Sequence, residues 1–353
     1  MNQTRELLKA HYLAYPQLGV RDAFKFLFHG AYGCEHMVSN ESAALAYLER
    51  EYERVPKNET PRIEPLDGEY SRVHLSYLNT GLAPSTLARL FCLSAKKEAD
   101  GRALLEEKVQ VAKDMIVDGT LPLDSAEFDR QLAAWRDAGY PAVHHSDAFR
   151  AAYQPAYRVI ANRFVKYLPL FAAIDKLGDR ESAVIAIEGG SASGKSTLAD
   201  VLHEVYFCTV FHMDDFFLRP EQRTAARLAE IGGNVDRERF AQEILQPLAQ
   251  HECVQYRRFD CATQSLGDLQ AVTPGKLTVI EGAYSTHPAF GRYYDLAVFL
   301  DIVPALQQKR ILARNTSAFA KRFFDEWIPF ENRYFEKTET RERCDLVLPV
   351  REK

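Results

Sequence analysis

No two of the six cysteines stand in a C-x-x-C pair; Cys34, Cys92, Cys208, Cys253, Cys261 and Cys344 are scattered along 353 residues. That spacing suits reduced, buried or idle thiols better than a disulfide frame or a zinc site. No run approaches the ~18 apolar residues of a membrane span. The start, Met1 to Pro16, carries Arg5, Glu6 and Lys9, so it lacks the apolar stretch of a secretory signal. Strong charge of either sign is also lacking: the net charge is -5, which argues against a chain-wide nucleic-acid or membrane surface. There is no internal repeat and no low-complexity tract. These absences predict a cytoplasmic protein with neither nucleic acid nor membrane as a partner.

Hydrophobic residues make up 46% of the chain and charged ones 26%, enough to fold throughout. The length predicts two domains. The pattern changes near Asp175 to Glu181, a short polar stretch containing Gly178, which divides residues 1–176 from 177–353. The first part reads as mostly helical, because apolar residues recur at three- and four-residue spacing. Helices are expected over Ala43–Arg54, Pro84–Ser94, Gly101–Val117, Ser125–Ala138 and Ala148–Tyr167, with breaks at Pro56–Gly68 and Asp118–Leu123. Ser125 is the expected cap of its helix. Polar residues of interest are Glu35, His36, Arg72, His74, His144, His145, Tyr153, Tyr157 and Arg158. Such a set could bind an anion or, through the histidines, a metal; the alternative is histidines that bridge or cap helices, and the spacing matches no specific metal motif.

The second part alternates strand and helix, which predicts a doubly wound parallel α/β sheet. Strands are expected at Ala183–Ile187, Val205–Phe211, Lys276–Ile280, Leu296–Leu300 and Leu346–Val350. The first runs into Gly189, Gly190, Ser191, Ala192, Ser193, Gly194, Lys195, Ser196 and Thr197, the phosphate-binding pattern G-x-x-x-x-G-K-[ST]. Glycines let the backbone curl so that several N–H groups point inward, and the following helix offers its positive end to phosphate. Lys195 would reach the outer phosphates of ATP, and Ser196 would hold Mg²⁺. The second strand leads into Asp214-Asp215 and the third into Glu281. In open α/β sheets ligands lie beyond the carboxyl ends of strands, so these carboxylates are expected to face the loop, with Glu281 at the metal. Alternation at the strand end predicts that Asp214 faces the transferred phosphate while Asp215 turns away. Between the last two strands Arg310 and Arg314 share a helix face, and Lys321 and Arg322 follow a break at Asn315–Ser317. That stretch reads as a lid whose arginines neutralise phosphoryl charge.

The phosphate loop, Met-Asp-Asp-Phe-Phe, Asn234 to Phe240, Val-Ile-Glu-Gly and the arginine-bearing lid together resemble the uridine kinase, phosphoribulokinase and pantothenate kinase group, over about Ala183 to Val350. The resemblance implies that Asp214 is the base toward an acceptor hydroxyl, that Phe217 packs on the acceptor and that Asp236 binds sugar hydroxyls. The sequence departs from uridine kinases at the Tyr-Asp-Phe-x-x-His stretch. Here it reads Phe259-Asp260-Cys261-Ala262-Thr263-Gln264, and only Phe259 keeps an aromatic role. Residues 1–176 resemble the N-terminal extension of bacterial uridine kinase-like proteins through His11–Pro16, Gly33–His36, Arg72–Leu75 and His145–Arg158, which implies no particular role.

The expected activity is ATP- and Mg²⁺-dependent phosphoryl transfer to a small-molecule hydroxyl, with a nucleoside as leading acceptor. Expected catalytic residues are Asp214, Lys195, Arg310 and Arg314; Phe217, Asp236, Phe259 and Arg322 would contact the acceptor. The alternatives are a kinase for another small alcohol, such as a sugar phosphate or pantothenate-like compound, or a nucleotide-dependent switch whose helical part binds a partner.

Overall fold

The computed structural model describes residues 2–34, 40–95, 101–178 and 180–352. Glu35 and His36, singled out above, lie outside the described residues. The chain folds as two compact units, 1–176 and 177–353. No helix among the described residues is long and apolar enough to cross a membrane. All six cysteines are free; Cys34 and Cys208 are buried, and Cys253 and Cys261 are exposed.

The N-terminal unit is mostly helical: α1 (Asn2–Ala14), α2 (Val20–Tyr32), α3 (Glu41–Tyr52), α4 (Pro84–Ser94), α5 (Gly101–Val117), α6 (Ser125–Asp137), α7 (Asp147–Tyr153), α8 (Asn162–Val165) and α9 (Leu168–Asp175). Helix α6 starts where expected, but its cap is Asp124, whose side chain accepts from the Glu127 N–H at 2.6 Å. The unit also holds an antiparallel sheet that the helical reading missed, β1 (Ile63–Pro65), β2 (Tyr70–His74) and β3 (Tyr157–Ala161). The expected helix over Ala148–Tyr167 is thereby corrected. Gln154 takes a left-handed conformation (φ 43°) that ends α7. Pro155 cannot donate to a continuing helix, and the β-branched pair Val159-Ile160 suits the strand that follows. In the sheet Glu64 stands opposite Arg72, Arg72 opposite Val159 and His74 opposite Tyr157. Side chains alternate along strands, so Glu64, Arg72, His74 and Tyr157 share one face.

The C-terminal unit is built on a five-stranded parallel sheet in the order β10-β9-β4-β8-β5. Its strands are β4 (Ala183–Gly189), β5 (Thr209–His212), β8 (Leu277–Glu281), β9 (Leu296–Ile302) and β10 (Leu346–Val350). Helix α10 (Lys195–Tyr206) follows β4 through the phosphate loop. The second strand begins later than expected, because α10 runs on to Tyr206 and Phe207 turns in a left-handed conformation (φ 55°). Short helices α11 (Ala225–Ala229), α12 (Arg237–Phe240) and α13 (Gln246–Ala249) precede a hairpin absent from the sequence reading, β6 (Val254–Asp260) and β7 (Ser265–Val272). After β9 come α14 (Pro304–Arg314), α15 (Ser317–Arg322), α16 (Ile328–Thr338) and α17 (Thr340–Arg343). Phe211, Met213, Phe216, Phe240, Tyr256 and Ile280 form a buried cluster beneath the ends of β5 and β8. Each such side chain contributes about 1.5–3 kcal/mol on full burial, so this floor is a firm platform for the acidic residues above it.

Candidate functional site

Gly189 ends β4 with φ +144°, and a Cβ there would lie 2.8 Å from the Leu300 carbonyl oxygen of β9. Only glycine accommodates both the angle and the approach. Ala192 also has positive φ (61°), so the loop from Gly189 to Gly194 is held curled, with Ser193 N–H donating to Gly190 O at 3.1 Å. Lys195 opens α10 and folds its ammonium back over the loop, donating to Gly189 O (2.9 Å) and Gly190 O (3.1 Å). Ser196 Oγ donates to Glu281 Oε1 at 3.0 Å. The same carboxylate oxygen lies 2.6 Å from His212 Nδ1, and that hydrogen bond raises the imidazole pKa above its ordinary value. Three adjacent strand ends, β4, β8 and β5, thus bring a lysine, a hydroxyl and a carboxylate–imidazole pair together.

Asp214 does not continue a strand. Met213–Phe216 forms a 3-10 turn after β5, so strand alternation does not separate Asp214 from Asp215 as expected, and a different geometry does. Asp214 is reached by solvent in a crowded cleft that pushes its carboxyl pKa upward, with Lys195 pulling the other way and Glu281 adding to the rise. Asp215 instead pairs with Arg258 of the β6–β7 hairpin (3.4 Å), and its carbonyl accepts from Arg239 at 2.6 Å. Gly282, with φ +141°, follows Glu281; a Cβ there would lie 2.5 Å from Met213 Cβ.

The arginines of the expected lid divide. Arg310 donates to the Ala192 and Ser193 carbonyls (3.1 and 3.4 Å) and to Arg351 O, so it braces the outside of the loop instead of closing over an acceptor. Its expected role over the phosphoryl group would require it to exchange these backbone partners, as Lys195 would. Arg314 is exposed on the same helix and its charge reaches Asp214. Arg322 is exposed on α15, 3.4 Å from Glu326 and over the Trp327 ring at 5.1 Å. Phe217 meets Phe259 edge-on at 6.5 Å, and Arg223 lies over Phe259 at 5.7 Å. Asp236 is buried and committed to the protein: it caps α12 through Arg239 N–H (3.2 Å), accepts from Gln222 Nε2 (2.9 Å) and pairs with Arg239 (3.5 Å). It also lines a cavity of about 340 Å³ with Leu218, Gln222, Arg227 and Glu238.

Glu331 was not singled out in the sequence. From α16 it accepts from both the N–H (2.8 Å) and the hydroxyl (2.7 Å) of Ser191, while Gln307 Nε2 donates to Ser191 O at 2.9 Å. Burial raises the carboxyl pKa of Glu331. Glu188, one residue before the loop, is wholly buried and accepts from Thr286 N–H (2.9 Å) and Tyr334 O–H (2.9 Å); burial pushes its pKa up to about 7. Neither glutamate has a sequence signal beyond proximity to the loop or membership of the charged lid.

No protein-family model and no curated protein matches the sequence. Among solved structures, a possible uridine kinase from Bacillus stearothermophilus is 22% identical, with 50% of this chain and 95% of that one covered and a TM-score of 0.40. A candidate fructose transport system kinase from Silicibacter sp. TM1040 is also 22% identical over 50% and 95%, with a TM-score of 0.42. Shikimate kinase from Bacteroides thetaiotaomicron is 13% identical over 48% and 86%, with a TM-score of 0.27. The parallel sheet and its loop give the C-terminal unit the doubly wound P-loop fold, preceded in the chain by a mostly helical unit.

Proposed function

We propose that the C-terminal unit is a small-molecule kinase that transfers the γ-phosphoryl group of ATP to a hydroxyl, with a nucleoside as the leading acceptor. The observation that carries this reading is the convergence of Lys195, Ser196, Glu281 and Asp214 at three neighbouring strand ends beside a phosphate-type loop. The loop N–H groups and the start of α10 would cradle the phosphates, and Lys195 would exchange its carbonyl partners for phosphate oxygens. Ser196 Oγ and Glu281 Oε1 present hard oxygen donors at one point, which suits Mg²⁺. Bound there, Mg²⁺ would neutralise charge on the phosphate oxygens. Asp214 would accept the acceptor's proton; its raised pKa makes it a better base than an ordinary carboxylate. Arg314 would face developing negative charge, and Arg310 would keep the loop curled.

The Phe217–Phe259 pair and the overlying Arg223 support a planar acceptor, which favours a nucleoside over a sugar phosphate. Arg322 would join them from the lid, and Asp236 would shape the acceptor cavity without offering its carboxylate. The test is acceptor-dependent ADP formation across nucleosides, sugars and vitamin precursors. A nucleoside should give the greatest stimulation. Stimulation by a macromolecule alone would remove the kinase reading and favour a nucleotide switch.

A further inference from the structure

We propose that the N-terminal unit holds a binding site for a small oxyanion, a carboxylate- or phosphate-bearing molecule, built on the side-on edge of Arg72. Arg72 is 1% exposed, on the sheet face it shares with Glu64, His74 and Tyr157. Its guanidinium carbon lies 5.3 Å from the Phe26 ring centre and 4.7 Å from that of Tyr157, so aromatic surface packs against it. One corner is occupied: Nη1 meets His11 Nε2 at 3.3 Å and Glu64 at 3.4 Å. The other edge is not. Nε and Nη2 are buried without a hydrogen-bond partner among the described residues. The N–H bonds of Nε and Nη2 run parallel, the fork that grips two oxygens of a carboxylate or phosphate. A charged donor kept from water with nothing to bind is costly, so an empty fork at this depth points to a ligand.

The surroundings favour an anion at the open edge: the one carboxylate paired with Arg72, Glu64, meets Nη1 at 3.4 Å and leaves Nε and Nη2 unmet. Lys25 is a second buried cation, whose ammonium donates to the Val143 carbonyl at 2.9 Å; no ion pair to Lys25 occurs among the described residues. Burial first, then the charges of Arg72 and Arg150, press its pKa down to about 8, with Asp22 pulling the other way. Both nearby carboxylates are spoken for. Glu64 holds His11 Nδ1 at 2.5 Å, and Asp22 takes His145 Nδ1 (2.9 Å), the Ser146 N–H (3.0 Å) and the Ser146 hydroxyl (2.7 Å). With Nδ1–H given to Asp22, His145 Nε2 accepts from the Tyr157 hydroxyl at 2.7 Å. That Asp22–His145–Tyr157 chain fixes the ring against which the guanidinium rests, so the fork is held ready instead of swinging into the core.

Hydrogen exchange on the full chain, with inorganic phosphate and separately with acetate, tests the site. Because the phosphate loop also binds phosphate, the readout is resolved by segment. Phosphate should slow exchange in residues 22–29, 70–74 and 157–161 as well as in 189–197. The same pattern with acetate identifies the carboxylate as sufficient; the pattern with phosphate alone identifies the tetrahedral oxyanion. Arg72→Gln should weaken the N-terminal effect at least about tenfold while sparing 189–197. Should that chain not fold, Lys25→Met should weaken the same effect. Slowing confined to 189–197, no slowing with either anion, or an N-terminal effect that survives the substitution overturns the proposal.

Discussion

In the N-terminal unit the ionisable residues Glu64, Arg72, His11 and His145 sit inside the packing of sheet and helices, whereas in the C-terminal unit Lys195, Asp214 and Glu281 stand where strands stop. The first arrangement holds imidazoles neutral: burial lowers the pKa of His11 and brings His145 down to about 4. The second raises carboxyls, with Asp214 and Glu331 above their ordinary range and Glu188 near 7. Strand ends gather groups that a moving ligand can reach, while a sandwiched sheet face gathers groups that only a captured ligand can satisfy.

The sharpest way to break this contrast is at the strand ends. Asp214→Asn should lower turnover by about 10² to 10⁴ while ATP and Mg²⁺ bind nearly normally, as expected of a base used only in the transition state. Asp215→Asn, which removes a pair with a hairpin arginine, should cost far less. Steady-state kinetics with parallel ATP titration decides; if Asp215→Asn is the more damaging, the base has been assigned to the wrong carboxylate. Lys195→Ala should cost at least about a hundredfold in turnover, since losing a preorganised donor at a developing anion is worth about 2.7–4 kcal/mol. Near wild-type turnover would remove the kinase reading altogether.

The next test sets the two units against each other by pH. A histidine kept below its unfolded pKa of 6.5 stabilises the fold fully above that value and loses its contribution as pH falls. For His145 the loss spreads from about pH 6.5 down to about 4 and amounts to about 3 kcal/mol. Asp22 and Glu64, whose pKa values are lowered, lose their contribution on the same acid side. Glu188 has the opposite sign: raised from 4.5 to about 7, it stabilises below 4.5 and that contribution fades as pH climbs toward 7. Segment-resolved hydrogen exchange between pH 5 and 7.5 should therefore show the N-terminal unit loosening in acid while the surroundings of Glu188 tighten. The same direction in both would break the comparison. The smallest effect is expected from cutting the chain: a protein beginning at Leu177 should bind ATP with Mg²⁺ about as the full chain does, by calorimetry. A folded but non-binding product would make residues 1–176 part of the site.

The phosphate loop was legible because its chemistry is local in sequence: nine consecutive residues supply glycines, lysine and hydroxyl. Glu281 and Asp214 were legible because parallel strands end where ligands sit. The contact of Arg310 with the loop carbonyls was not legible, because four-residue spacing reports a shared helix face and says nothing of which backbone carbonyls lie opposite. Asp236 was carried over by resemblance, yet its partners Gln222 and Arg239 hold it as a cap. The sheet around Arg72 went unseen because β1 and β2 are short and their partner β3 is remote in the chain, so no periodicity signals the pairing. Glu331 is fixed by tertiary packing alone, reaching Ser191 from 140 residues away.

Gly282 is a position whose task is to remain vacant. It follows the carboxylate of Glu281 and its backbone lies against Met213, the residue before Asp214. Any side chain added there would push on the turn that carries Asp214 and lengthen the gap between the carboxylates of Glu281 and Asp214. A change at this position would therefore be felt as a loss of reach between two carboxylates, and it would strike their alignment while leaving both chemically intact.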